Sequence, residues 1–285
     1  MSVSDGLKQA AAGSATARLQ RLRANAAGYF AMLGRRPRFA GRPAWRSPLR
    51  LGVGAVLVIG IVTATMTMID APSVGVVQRM PEWLIGAFDE VTDFGKSVWF
   101  LVPIAVMLVA LALLASPALP RMSRCVLAAV AVRLGFLFLA IGLPGLCFAA
   151  LKRLIGRARP LVEGGVDPFI YRPLGWKVEY ASFPSGHSID AFAAAMALGA
   201  LWPRARPLLW TYAVIIAMSR LVLTSHFPSD AIAGAVIGVV GVLLVRDWFA
   251  ARGLVFRLDS NGIIRPLPGP SFARMKRVAR CLVAP

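Results

Sequence analysis

The chain has two histidines, His187 and His226, and each stands in a short polar block of the kind that handles phosphate. The first block reads Pro184-Ser185-Gly186-His187. The second reads Ser219-Arg220, five residues, His226, three residues, Asp230. A third, upstream, runs from Lys152 through six residues to Arg159-Pro160. Two imidazoles can divide a phosphoryl transfer between nucleophile and proton donor. A carboxylate can orient one of them, and cations can hold the oxygens whose charge builds in the transition state. In so apolar a chain these groups are expensive to keep without a use.

The elements that must position them are membrane helices. With 285 residues, 58% of them hydrophobic, and a mean hydropathy of +0.68, the chain is too apolar for an ordinary soluble domain and reads as a polytopic membrane protein. Six stretches approach the ~20 residues needed to cross the bilayer core. They run over 51–69, 98–116, 132–151, 187–202, 207–224 and 230–249. The expected fold is therefore all-α, a six-span bundle over 51–249, with a basic segment 1–50 before it and a basic tail 250–285 after it. Residues 1–50 hold no apolar core of the secretory kind, so the first span is expected to direct insertion; their Arg- and Ala-rich composition also suits a transit peptide. The Trp202-Pro203 and Pro207 breaks imply a tight turn between spans four and five. Arg133 is expected to mark the entry of the third span and to snorkel to the interface.

Charge sets the expected orientation. Residues 1–50 carry ten Lys and Arg against one acid, Asp5, and residues 246–285 carry eight, so both ends are assigned to the cytoplasm. The first connection holds Asp70, Glu82, Asp89, Glu90 and Asp93 and belongs outside, and the third and fifth connections, which carry every polar block, fall on the same side. The site is thus expected at the outer, periplasmic ends of the helices of an inner (plasma) membrane. The net charge of +19 does not imply nucleic acid, because eighteen of the thirty-two basic residues lie in the two tails, where positive-inside sorting and anionic lipid account for them. Residues 6–34 fit either an amphipathic helix on the inner leaflet, with Leu19, Leu22, Phe30 and Leu33 on its apolar side, or disorder. Leu254 to Ile264 alternates around Asn261-Gly262, a hairpin signal. Cys125, Cys147 and Cys281 offer no exterior pair for a disulfide.

That orientation gives each polar block a structural and a chemical reading. The fourth span starts just after Ser185-Gly186-His187, so its free backbone N–H groups and positive dipole end make an anion site; a plain Ser185 N-cap is the simpler alternative. Asp230, four residues after His226, can hold that imidazole in one tautomer or can serve as a helix N-terminal charge. Lys152, Arg159 and Arg220 each suit a helix C-terminus, but three cations together on the outer side run against the charge bias of the rest of the chain. A phosphate group supplies their partner.

At these residues the chain resembles the type 2 phosphatidic acid phosphatase family, whose signature is Lys-x6-Arg-Pro, Pro-Ser-Gly-His and Ser-Arg-x5-His-x3-Asp. Lys152, Arg159, Pro160, Pro184 to His187, Ser219, Arg220, His226 and Asp230 match every fixed position. The motifs span 152–230, and neither tail is covered. The resemblance implies that His226 attacks phosphorus to form a phosphohistidine, that Asp230 orients it, and that His187 protonates the leaving oxygen and then activates water. Lys152, Arg159 and Arg220, with Ser185 and Gly186, would bind the phosphate. No divalent metal and no cofactor is expected, since three cations stand where magnesium acts elsewhere. Soluble haloperoxidases share the signature, and the six spans point away from them. The expected substrate is a lipid phosphate: phosphatidate, phosphatidylglycerophosphate, undecaprenyl pyrophosphate and the lipid A 1-phosphate all fit. A lipid phosphotransferase would carry the same site, a scaffold or lipid transporter could keep the fold, and a surface-binding protein could act through its basic tails. Glu163, Asp167 and Glu179, scattered in 161–183, read as parts of a loop lid.

Overall fold

The computed structural model describes residues 3–38 and 41–283, with side chains described from residue 16 to 280 apart from 39 and 40. The side chains of Asp5 and Cys281 therefore lie outside the described residues. Ten α-helices and one small hairpin follow in order. They are α1 (Val3–Leu33), α2 (Pro48–Met68), α3 (Asp70–Val77), α4 (Glu82–Thr92), α5 (Val98–Leu114), α6 (Arg121–Ile155), α7 (Gly186–Leu201), α8 (Arg206–Val222), α9 (Pro228–Ala251), β1 (Phe256–Leu258), β2 (Ile264–Pro266) and α10 (Phe272–Val283). Five helical stretches are long and apolar enough to cross a membrane, namely 48–68, 82–114, 121–155, 203–222 and 228–251, and α7 is a shorter apolar helix of 16 residues. The chain is an integral membrane protein.

Helices stand at all six expected positions within a few residues, except where packing extends them, and five of them lie in stretches long and apolar enough to cross a membrane. The third is the middle of a 35-residue helix, α6, which at ~1.5 Å per residue far exceeds the hydrocarbon core. The second is preceded by α4 in one nearly continuous helical run. The first connection is consequently not a simple acidic loop: it folds into α3 and α4, and α3, α4 and the turn after α4 all pack against helices that carry the polar blocks.

Helix α7 lies at the centre, against α6, α8 and α9. Its Ala191, Ala193, Ala194, Ala195 and Ala197 are completely buried, and the small side chains let neighbouring backbones come close. On α9 the approach is closest at Gly234 and Gly238, where an added Cβ would stand 2.6 Å from the Ser185 carbonyl oxygen and 2.5 Å from that of Ile189. These contacts fix α9's first turn against α7's first turn, and those two turns carry the two histidine blocks. By contrast α2 and α5 present Leu49, Val56, Leu57, Ile59, Val102 and Val106 outward, an apolar surface suited to lipid.

The tails join the same core. Phe256 of β1 packs edge-on against Phe136 of α6, which also meets Phe249 of α9. The hairpin turns at Asn261-Gly262 as its sequence predicts. Helix α1 runs beside α5, where the Asn25 amide donates to the carbonyls of Ala112 and Ala115, 2.7 Å each. Of its expected apolar face, Leu33 packs on the core whereas Phe30 is exposed. Arg133 is half-buried within α6 and donates to the carbonyls of Ala129, Leu267 and Pro268, tying down the C-terminal tail.

Candidate active site

The site forms where α6 ends and α7 and α9 begin. Helix α6 stops at Gly156, whose φ of +68° is a left-handed cap that favours glycine. A Cβ there would fall 1.9 Å from the Arg172 carbonyl oxygen, so the chain can double back beneath the 157–183 connection. That connection is ordered by its own backbone: Ala158 N–H donates to Ile170, Arg159 to Glu179, Arg172 to Gly156 and Ser182 to Arg157. Glu163, expected only as part of a scattered lid, accepts from the Tyr180 hydroxyl at 2.6 Å and pairs with Arg172.

Pro228 opens α9, and Asp230 in its first turn bends Oδ2 back to accept the Phe227 N–H at 2.9 Å. The same oxygen accepts the Ser182 hydroxyl at 2.6 Å and lies 3.6 Å from His226 Nδ1. Asp230 thus caps the helix and also faces the imidazole. Ser182 Oγ is 3.5 Å from the same ring nitrogen. His226 is buried, which pushes its imidazolium below the ordinary range, and Asp230 only partly offsets this. The ring is thus neutral at neutral pH, with Nδ1 turned to Asp230 and Nε2 the remaining nitrogen.

Behind Asp230 stands a residue the motifs pass over. Arg157 is wholly buried and donates to Asp230 Oδ1, to Ser229 Oγ at 2.7 Å, to Asp70 Oδ2 at 2.8 Å and to the Pro168 carbonyl at 3.0 Å, with its guanidinium 4.7 Å from the Phe227 ring centre. Asp70, the first residue of α3, also accepts from the Ser229 N–H at 3.0 Å and from the Ser229 hydroxyl. Burial opposes the Arg157 charge, but Asp230 and Asp70 outweigh it and hold the group above its ordinary pKa. The only sequence signal for Arg157 was its place, with Arg153, as one of two further cations inside the Lys152–Arg159 block, and Asp70 had looked like one more outer-loop acid.

The opposite wall is built differently. Ser185 caps α7: it is buried, its Oγ accepts from the Ser188 N–H at 3.5 Å and from the Ser188 hydroxyl at 3.1 Å, and its own N–H donates to the Asp230 carbonyl at 3.1 Å. The oxygen thus accepts within the cap while its own O–H stays available to donate, and the N–H groups of Gly186 and His187 find no backbone acceptor among the described residues. Arg220, in the last turn of α8, is buried and donates to Thr92 Oγ1 at 2.7 Å, and Ser219 donates to the same oxygen at 3.0 Å. Thr92 closes α4, so the first connection positions this cation too. The turn after α4 touches His187: a Cβ on Gly95 would lie 3.0 Å from its Cδ2.

Lys152 and Arg159 are half-buried, and among the described residues neither side chain makes a hydrogen bond or ion pair. The Nε atoms of Arg159 and Arg220 are buried without an acceptor. Burial lowers the Arg159 pKa, though a guanidinium still keeps its proton. His187 lies within electrostatic reach of His226 and Arg220, His226 of Arg159 and Arg220, and Lys152 of Arg159. The structure thus gathers all eight residues singled out in the sequence at one end of the bundle, and adds Arg157, Asp70, Ser182, Ser229 and Thr92.

A helical membrane protein with this constellation has the class of a phosphoric ester hydrolase. A model of the PAP2 superfamily matches residues 133–254. Over 219 residues the chain is 35% identical to the lipid A 1-phosphatase of Rhizobium etli, covering 75% of this chain and 92% of that one. Over 154 residues it is 30% identical to the lipid A 4'-phosphatase of Bacteroides thetaiotaomicron, covering 52% and 63%. Among solved structures, that of Aquifex aeolicus LpxE aligns at 23% identity with a TM-score of 0.42, covering 59% of this chain and 88% of the other. The chain belongs to the PAP2 superfamily.

Proposed function

We propose that this protein removes phosphate from a membrane lipid through a covalent intermediate on His226, without a divalent metal. The observation that carries the proposal is the contrast inside the site: a neutral imidazole faces a fully engaged carboxylate, while three cations and a helix N-terminus opposite it are left with spare donors. A phosphate dianion supplies acceptors for those donors, and an in-line attack by His226 Nε2 needs no further group. Asp230 orients the ring and stabilises the cation that forms on it. His187 gives a proton to the departing lipid oxygen and afterwards takes one from the attacking water, a contribution of about 10²–10⁴-fold. Lys152, Arg159 and Arg220, with the N–H groups that the Ser185 cap presents at Gly186 and His187, hold the equatorial oxygens, the electrostatic share that dominates phosphoryl transfer.

Helix α7 is counted as a sixth span: at ~1.5 Å per residue its 16 residues reach about 24 Å, and its burial in the bundle removes the need to match the lipid. Six spans with basic tails support a topology with both termini in the cytoplasm and the site at the outer face. The 35% identity to a lipid A 1-phosphatase along nearly its whole length favours a sugar 1-phosphate among the candidate lipids.

Phosphate release by the purified protein in detergent with EDTA, on phosphatidate, phosphatidylglycerophosphate, undecaprenyl pyrophosphate and lipid A 1-phosphate, tests this reading beside a His226→Ala control. Release lost in the control supports it. Transfer of phosphate to a second lipid instead of water would make the protein a phosphotransferase, and no turnover of any lipid by folded protein would overturn the reading.

A further inference from the structure

One partly buried carboxylate near the site has no place in the chemistry above. Asp190 lies on α7 one turn after His187 and lines a cavity of about 330 Å³ between α5, α6 and α7. Two proposed phosphate-binding residues, Lys152 and Gly186, line the same cavity, and its other walls include Leu101, Leu146 and Phe148. Leu146 is 71% exposed on the surface of the bundle. The cavity therefore runs from the phosphate site toward the lipid-facing side, and Asp190 stands beside that path.

A carboxylate in such a position is costly and needs partners. Its Oδ2 accepts the Ser97 N–H at 3.1 Å, which anchors the start of α5. The Ser97 side chain bears on the same carboxylate, and Lys152, though it shares the cavity, is not within ion-pair distance of it. Room for Oδ1 is kept by Gly145 of α6, where a Cβ would come within 2.6 Å of it. Anchoring α5 through Ser97 needs an acceptor but not a charge, so the charge is left over.

The geometry points to Asp190 as a specificity residue for the leaving group, accepting a hydrogen bond from a hydroxyl or amide N–H on the carbon next to the phosphoester. This rests on the lipid-phosphatase reading and narrows its substrate class. Lipids whose leaving alcohol carries such a donor, an acylated glucosamine 1-phosphate or a glycerol phosphate with a free neighbouring hydroxyl, supply it to the carboxylate. Phosphatidate, whose neighbouring oxygen is esterified, leaves the carboxylate without that donor. A site built to bond a donor discriminates strongly against the analogue lacking it, because its buried acceptor is then left unpaired.

The test compares kcat/KM for phosphatidylglycerophosphate and lipid A 1-phosphate with that for phosphatidate, in wild type, Asp190→Asn and Asp190→Ala. The asparagine variant keeps an acceptor for the Ser97 N–H, and any general gain in anion affinity from losing the charge cancels in the ratio. The expected result is a preference for the donor-bearing lipids that falls about tenfold or more in both variants. Equal losses on all three lipids would show a structural anchor only and overturn the assignment. An unchanged ratio with unchanged rates would overturn it as well. Wild-type protein inactive on every lipid would instead remove the phosphatase reading, and the assignment with it.

Discussion

The two walls of the site make opposite use of charge. Behind His226, one guanidinium, two carboxylates and two serines are interlocked in a network with Arg157 at its centre, every member bonded and all of it buried. In front, Lys152, Arg159 and Arg220 keep donors to spare, and the α7 N-terminus presents free N–H groups. A satisfied buried network is rigid and fails badly when one partner is removed, whereas spare donors favour a ligand and contribute little to folding. The same residue type thus stands in two settings: Arg157 is bonded on every side within the rear wall, and Arg159, two residues later, keeps its donors free for the phosphate in the proposed reading.

Mutation can break this comparison at several points. The largest effect belongs to the residue between the walls: His226→Ala should lower kcat by about 10⁴-fold or more, the scale of removing a nucleophile, while the protein stays folded. Steady-state phosphate release against circular dichroism checks it. Next comes the rear wall. Arg157→Ala leaves Asp70 and Asp230 facing each other without a cation and should cost about 3–5 kcal/mol of stability, seen as a lower thermal midpoint in detergent. Arg220→Ala in the front wall should reverse that pattern, with a loss of about 10²–10³-fold in kcat and a thermal midpoint close to wild type. If Arg157→Ala and Arg220→Ala changed stability equally, the division into brace and binding wall would be wrong.

How much of this was legible in the sequence differs between the walls as well. The front wall was readable because its residues sit in fixed short blocks, and helix starts at Ser185 and Pro228 follow from cap chemistry. The helices followed from apolar length, though the sequence could not show that α6 runs for 35 residues and that Arg133 bonds to the tail. The rear wall was hidden, since Asp70 and Arg157 are 87 positions apart and meet only because α3 folds back onto α9. Thr92 was hidden for the same reason. Charge counting saw the first connection as acidic and therefore outside; it could not see that one of those acids is wholly buried while Asp93 is exposed and pairs with Lys96. Ser185 shows the converse, a motif residue whose oxygen also accepts the capping bonds of a helix.

The smallest predicted effect is on pH. Burial depresses the His226 pKa, so the reactive neutral ring persists on acidification and is lost only as pH falls through that depressed value. The acid limb of kcat/KM should therefore lie below the ordinary imidazole value of about 6.5, with roughly a tenfold fall per unit beyond it. An acid limb at or above 6.5 would place His226 in a more solvated or more anionic setting than the rear wall provides.

The central claim is that the braced imidazole becomes covalently phosphorylated. Rapid acid-free quenching of wild type with a ³²P-labelled lipid phosphate should give protein-bound label that survives alkali and is lost in acid, and the label should be missing from His226→Asn at equal folded protein. Full turnover of the lipid with no protein-bound label at any quench time, or label of the same amount and lability in His226→Asn, would contradict the account.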